Sequence, residues 1–138
     1  MLVLSRSEVE ELLDLDALLD ALAAAHAELS GGQASLVPRV GAYAGDAGIL
    51  GAMLAYAPSG GLGCKLVTLF PGNRDRPTHQ ATIALFDPAT GTPVALMDGT
   101  YITAMRTAAA AALATRLLAR PDARVLAILG TGVQSRSA

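Results

Sequence analysis

Three cations stand in apolar surroundings and could do chemistry: Arg39 after Pro38, Lys65 between Cys64 and Leu66, and Arg106 between Met105 and Thr107 ahead of a run of alanines. A charge in the middle of a strand, or on an alanine-lined helix, is costly to bury unless something anionic meets it. Each one singly could instead reach solvent along its aliphatic stem. Together they suggest a pocket for a carboxylate, which arginine grips with two parallel N–H donors. His79, beside Pro77-Thr78, is open to two readings, a proton donor or a polar loop residue. Cys64 has no evident activating partner, and a chain with one cysteine and two histidines is a poor candidate for a tight zinc site, so no metal is assigned.

A second signal comes near the end of the sequence. The run Arg124–Leu129 reads as a strand covered on both faces in a parallel sheet, and it leads straight into Gly130-Thr131-Gly132-Val133-Gln134-Ser135. A strand followed by G-x-G-x-x-(G/A/S) opens a dinucleotide-binding unit. The first glycine makes the tight turn, the second lets the backbone approach a pyrophosphate, and the next helix N-terminus attracts its charge. Alone this is a weak signal, because glycine pairs also follow strands in plain turns; the preceding strand strengthens it. The acidic ribose ligand, expected about 20 residues further on, would fall beyond Ala138.

The elements that must position these residues follow from periodicity. Met1–Leu4 reads as an edge strand. Ser5 with Glu8 forms a capping box for a first helix, and Asp14 or Asp16 starts a second, which runs to about Leu29 and stops at Gly31-Gly32. The acidic residues of these helices read as a solvated face, and His26 as a structural histidine. Leu36–Val40, Ile49–Ala57, Gly63–Phe70, Ala81–Phe86 and Val94–Met97 are β-leaning runs between turns, with Asp87-Pro88 to Gly91 predicting a hairpin. Thr100 to about Ala119 reads as one long helix of strong helix formers, ended by Arg120-Pro121-Asp122. The expected class is α+β: N-terminal helices on a mostly antiparallel sheet, a long helix, then the first strand and glycine turn of a truncated Rossmann domain.

With 138 residues the chain can hold one domain with a real core, not two complete ones. Its net charge of −2 and scattered arginines argue against a nucleic-acid partner. A single cysteine, no long uncharged apolar run and no basic-then-apolar N-terminus predict a soluble, cytoplasmic protein without a membrane partner.

Four motifs in order bring a resemblance: KLVTLFPGN (Lys65–Asn73), PTHQATIALFDPATG (Pro77–Gly91), MDGTYITAMRTAA (Met97–Ala109) and ILGTGVQ (Ile128–Gln134). Over nearly its whole length the chain resembles the ornithine cyclodeaminase/mu-crystallin family, which includes ketimine reductases and alanine dehydrogenases. The resemblance implies a substrate-binding and dimerisation domain at 1–120 and the start of an NAD(P)-binding Rossmann domain at 121–138. It implies the N-terminal part of a longer enzyme, inactive by itself, that uses NAD or NADP and forms a homodimer. The ligand would be a small amino acid or a cyclic imine carboxylate. Position by position, Arg39, Met53, Lys65 and Arg106 become substrate-binding residues, with Lys65 also a catalytic candidate for proton transfer. Thr78, Arg106, Thr107, Gly130, Thr131, Gly132, Val133 and Gln134 become dinucleotide contacts. Leu54 stands where the family usually has proline. Two other readings compete: a non-catalytic ligand-binding or dimerisation module, and an inactive truncated product.

Overall fold

The computed structural model describes residues 1–137. Strand β1 (Leu2–Leu4) passes directly into helix α1 (Arg6–Leu12). The capping box forms: the Glu8 carboxylate accepts the Ser5 backbone N–H at 2.7 Å, and the Ser5 hydroxyl accepts that of Glu8 at 3.4 Å. Of the two candidate starts for the second helix, Asp14 is the cap. Its carboxylate takes the Ala17 N–H at 2.8 Å, and α2 runs Leu15–Ser30 until Gly31-Gly32 turns the chain away.

Six further strands follow: β2 (Ser35–Leu36), β3 (Val40–Tyr43), β4 (Ile49–Ala57), β5 (Gly61–Leu69), β6 (His79–Phe86) and β7 (Pro93–Asp98). The sheet order is β1-β7-β6-β5-β4-β2, with β3 sharing the outer edge of β4. All pairings are antiparallel except β1 with β7. The β6–β7 hairpin closes as expected. The Asp87 carboxylate accepts the N–H groups of Ala89 and Thr90 at 2.8 and 3.0 Å.

The expected single strand Leu36–Val40 is in fact two short pieces. Leu36 lies opposite Ala55 but Val40 lies opposite Ala52, so one residue more is used on this side than on β4. That is a bulge within Val37-Pro38-Arg39. Proline has no N–H to give a ladder, which makes a break at this edge cheap. Val37 still donates to the Leu54 carbonyl at 3.3 Å. Strand β4 itself is unbroken through Leu54.

Helix α3 (Thr100–Leu118) crosses one face of the sheet, beside α1 and α2. Its start is pinned to β6: Gly99 N–H donates to the Ala81 carbonyl at 2.8 Å, and the Thr100 hydroxyl accepts the Ala81 N–H at 2.9 Å. Gly99 permits this approach, since a Cβ there would sit 3.1 Å from Ala81. The buried side of α3 is Thr103, Ala104, Ala108, Ala109 and Leu113, mostly small residues that let the helix lie close to its neighbours. Every helix packed on the sheet lies on this one side. The other face exposes Leu50, Leu54, Leu62, Leu66 and Leu96.

One expectation needs correction. Arg124–Leu129 forms no strand and pairs in no ladder, and Val125 and Leu129 are 89% and 98% exposed. A doubly covered parallel strand depends on neighbours for its backbone bonds and its burial, and none pairs with it among the described residues. The glycine turn does lead into a short helix, α4 (Val133–Ser137), which rests on α3.

Candidate functional site

The ladder registers place Met53 opposite Lys65, Lys65 opposite Ile83 and Ile83 opposite Met97. This row crosses the sheet on the face that α3 covers. Lys65, from the middle of β5, therefore points at α3, where its Nζ donates to the Thr103 hydroxyl at 3.3 Å. Thr103 in turn donates to the Gly99 carbonyl at 2.6 Å. One turn further along α3, Arg106 reaches the same space, and the Pro38-Arg39 bulge brings Arg39 in from the sheet edge.

Arg39, Met53, Lys65 and Arg106 thus line one cavity of about 510 Å³. All four residues assigned to substrate binding come together. Burial, then the guanidiniums of Arg106 and Arg39, hold the Lys65 amine below the ordinary lysine range. The ion pairs among the described residues lie elsewhere, at Arg6–Glu10, Arg76–Asp75 and Arg120–Asp122. The cavity therefore concentrates positive charge with no carboxylate to balance it. Lys65 is also the only lysine in the chain.

A second cavity, of about 500 Å³, opens on the other side of Thr103 and His79, which line both. Its walls include Thr78, Tyr101, Val133 and Gln134. Among the residues assigned to the dinucleotide, Thr78, Val133 and Gln134 gather here. Arg106 faces the cationic cavity instead. Thr107 lines neither, and its hydroxyl is back-bonded to the Thr103 carbonyl at 2.7 Å. Gly130, Thr131 and Gly132 form the approach to α4 and line neither cavity. Gly130 adopts φ +100°, a conformation that favours glycine, and there is open space around Gly132.

Thr103 was not singled out from the sequence, though its spacing contained a hint: three residues before Arg106, it shares that residue's helix face. His79 proves to be more than a loop residue. It begins β6 and stands where the two cavities meet.

The chain has close relatives. It is 46% identical over 142 residues to the ketimine reductase mu-crystallin of Mus musculus, a match covering 97% of this chain and 45% of that protein. Its structure is similar to that of Thermococcus litoralis Delta(1)-pyrroline-2-carboxylate reductase in complex with NADH and L-proline. There the TM-score is 0.91 at 40% identity, over 99% of this chain and 44% of the other. An archaeal alanine dehydrogenase dimer with bound NAD superposes with a TM-score of 0.94 at 37% identity, over 99% and 43% of the two chains. The chain thus spans less than half the length of these relatives. Its residues 1–138 match the Ornithine cyclodeaminase/mu-crystallin family throughout, and the chain belongs to that family.

Proposed function

We propose that this chain is the substrate-binding part of an NAD(P)-dependent enzyme acting on a small amino acid or a cyclic imine that carries a carboxylate. The observation that carries the reading is the convergence of Arg39, Lys65 and Arg106 on one cavity without an internal counter-charge. An anionic ligand relieves their mutual repulsion, and guanidinium forks suit a planar carboxylate. In this reading the cavity shared by Thr78, Val133 and Gln134 would receive part of a nicotinamide dinucleotide, NAD or NADP, which would meet the substrate across His79 and Thr103. When bound, that cofactor would supply or accept a hydride at the carbon bearing nitrogen.

The chain's own residues would fix the geometry. Arg39 and Arg106 hold the carboxylate, while Lys65 faces the substrate nitrogen and exchanges a proton with it. Relatives bearing on the reading include a reductase solved with NADH and L-proline and a dehydrogenase solved with NAD. A homodimer belongs to the same proposal. A second copy would cover the exposed apolar face carrying Leu50, Leu54, Leu62, Leu66 and Leu96, and the similar archaeal alanine dehydrogenase is a dimer.

One observation favours a second reading, a ligand-binding module without catalysis. The cationic cavity is built wholly from residues between Arg39 and Arg106, with nothing from the glycine turn. Calorimetry with L-proline, pyrrolidine and NADH tests both readings. Binding of proline but not of pyrrolidine, strengthened by NADH, is the expected result. Proline binding indifferent to NADH supports the module, and equal binding of pyrrolidine overturns the carboxylate site.

A further inference from the structure

The hydrogen bonds around Lys65 leave one of its capacities unused. The single hydroxyl proton of Thr103 is committed to the Gly99 carbonyl at 2.6 Å, so toward Lys65, at 3.3 Å, the Thr103 oxygen can only accept. A neutral Lys65 amine spends one N–H on Thr103 and keeps its lone pair for the cavity. Among the described residues no other hydroxyl, carboxylate or backbone group is bonded to Nζ. On the cavity wall beside it are two guanidiniums, Arg39 and Arg106, and apolar residues such as Met53 and Val67. A lysine made nucleophilic by desolvation and neighbouring cations is a general route to imine chemistry with carbonyl compounds.

We infer that Lys65 is a nucleophile whose Nζ condenses with the carbonyl carbon of small α-keto acids held through their carboxylate by Arg39 and Arg106. The inference rests on the carboxylate-binding reading above. In the first step the Nζ lone pair forms a bond to the α-carbon and the carbonyl π pair moves to oxygen. The two protons of the neutral amine then leave with that oxygen as water, and a C=N bond replaces C=O. Nothing is oxidised or reduced, and no co-reactant is needed. The ligand class is set by the site: an anionic group on the carbon next to the carbonyl, and a short side chain for a cavity of about 510 Å³. Burial and the guanidiniums of Arg106 and Arg39 shift Lys65 toward the neutral amine relative to an ordinary lysine.

The test uses the chain's own internal standard. A chain produced from Met1 to Ala138 carries two primary amines, Lys65 and the Met1 α-amino group, and Met1 is largely exposed. An ordinary lysine, with a pKa about 2 units or more above an α-amino group, would be trapped more slowly than the terminus at pH 7. The protein is incubated with pyruvate and cyanoborohydride, and peptide mapping by mass spectrometry compares carboxyethylation at the two sites. The expected result is Lys65 labelled at least about tenfold faster than Met1. Arg106→Ala should lower labelling of Lys65 and leave Met1 unchanged, and acetone, which has no carboxylate, should show no preference for Lys65. Labelling of Met1 with Lys65 spared overturns the inference. If pyruvate nevertheless competes with proline in calorimetry, the carboxylate site survives that failure. Equal labelling of Lys65 by acetone and pyruvate overturns the carboxylate reading as well. Should Arg106→Ala be unstable, Arg39→Ala serves as the second variant.

Discussion

Replacing Arg106 with alanine removes one guanidinium from the cationic cavity without disturbing its helix, since alanine is the best helix former and α3 is already rich in it. Two effects oppose each other. A charge-assisted hydrogen-bonded contact is worth about 1.5–3 kcal/mol, so its loss should weaken carboxylate binding about 10- to 150-fold. Against this, Arg106 is the leading charged neighbour that depresses Lys65, after burial itself. Without it the Lys65 amine moves back toward the ordinary lysine range, which favours its charged form and so the attraction of an anion. The net loss of affinity for L-proline should therefore fall at the low end, about tenfold. Arg106→Lys keeps the charge but loses the fork, so it should weaken binding while leaving the Lys65 titration close to its native position. The assay pairs calorimetry with an NMR titration of the lysine side-chain carbon, a single resonance because Lys65 is the only lysine. An Arg106→Ala protein that binds proline within about twofold of the native chain refutes the reasoning. So does one whose Lys65 midpoint falls instead of rising.

Three other expectations follow from the same geometry. Gly99→Ala forces a Cβ to within 3.1 Å of Ala81 where α3 is pinned to β6. A loss of about 1–3 kcal/mol in chemical denaturation, with weakened proline binding, is expected, and an unaltered midpoint would show that the junction is slack. Leu66→Glu places a charge on the uncovered face of the sheet, and light scattering should show the proposed homodimer becoming a monomer; a mass unchanged from that of the native chain would overturn the assignment of a dimer to this face. Backbone N–H bonds from Ala89 and then Thr90 hold the Asp87 carboxyl below its ordinary value of 3.8. A depressed carboxyl contributes stability above its unfolded pKa and loses it as pH falls through the lower folded one. Hydrogen-exchange protection of the hairpin should therefore drop below about pH 4 in the native chain but not in Asp87→Asn.

Much of the fold could be read from sequence because its signals are local. The capping box at Ser5, the Asp87 hairpin and the nine residues of β4 depend on neighbours a few positions away. The three cations were legible for another local reason, a charge set among apolar residues. What escaped depends on partners far along the chain. The parallel pairing of β1 with β7 leaves no trace in Leu2–Leu4 itself. The bulge at Pro38-Arg39 is visible only once β4 supplies a register to compare. Thr103 reads as an ordinary helix residue until β5 delivers Lys65 to it. Arg124–Leu129 failed in the opposite sense: its composition announces a buried strand, but composition cannot supply the neighbouring strands that would bury it.

The pairing of β1 with β7 also bears on how the domain forms. The hairpins β4–β5, β5–β6 and β6–β7 join segments adjacent in sequence and can zip early, whereas Leu2 must find Ala95 across nearly the whole domain. Closing so long a loop is entropically expensive, and such contacts are made late. During synthesis the first strand has no partner until β7 has left the ribosome, although the capping box of α1 can form from its own neighbours. The edge that closes the sheet is therefore available only when nearly the whole domain has been made.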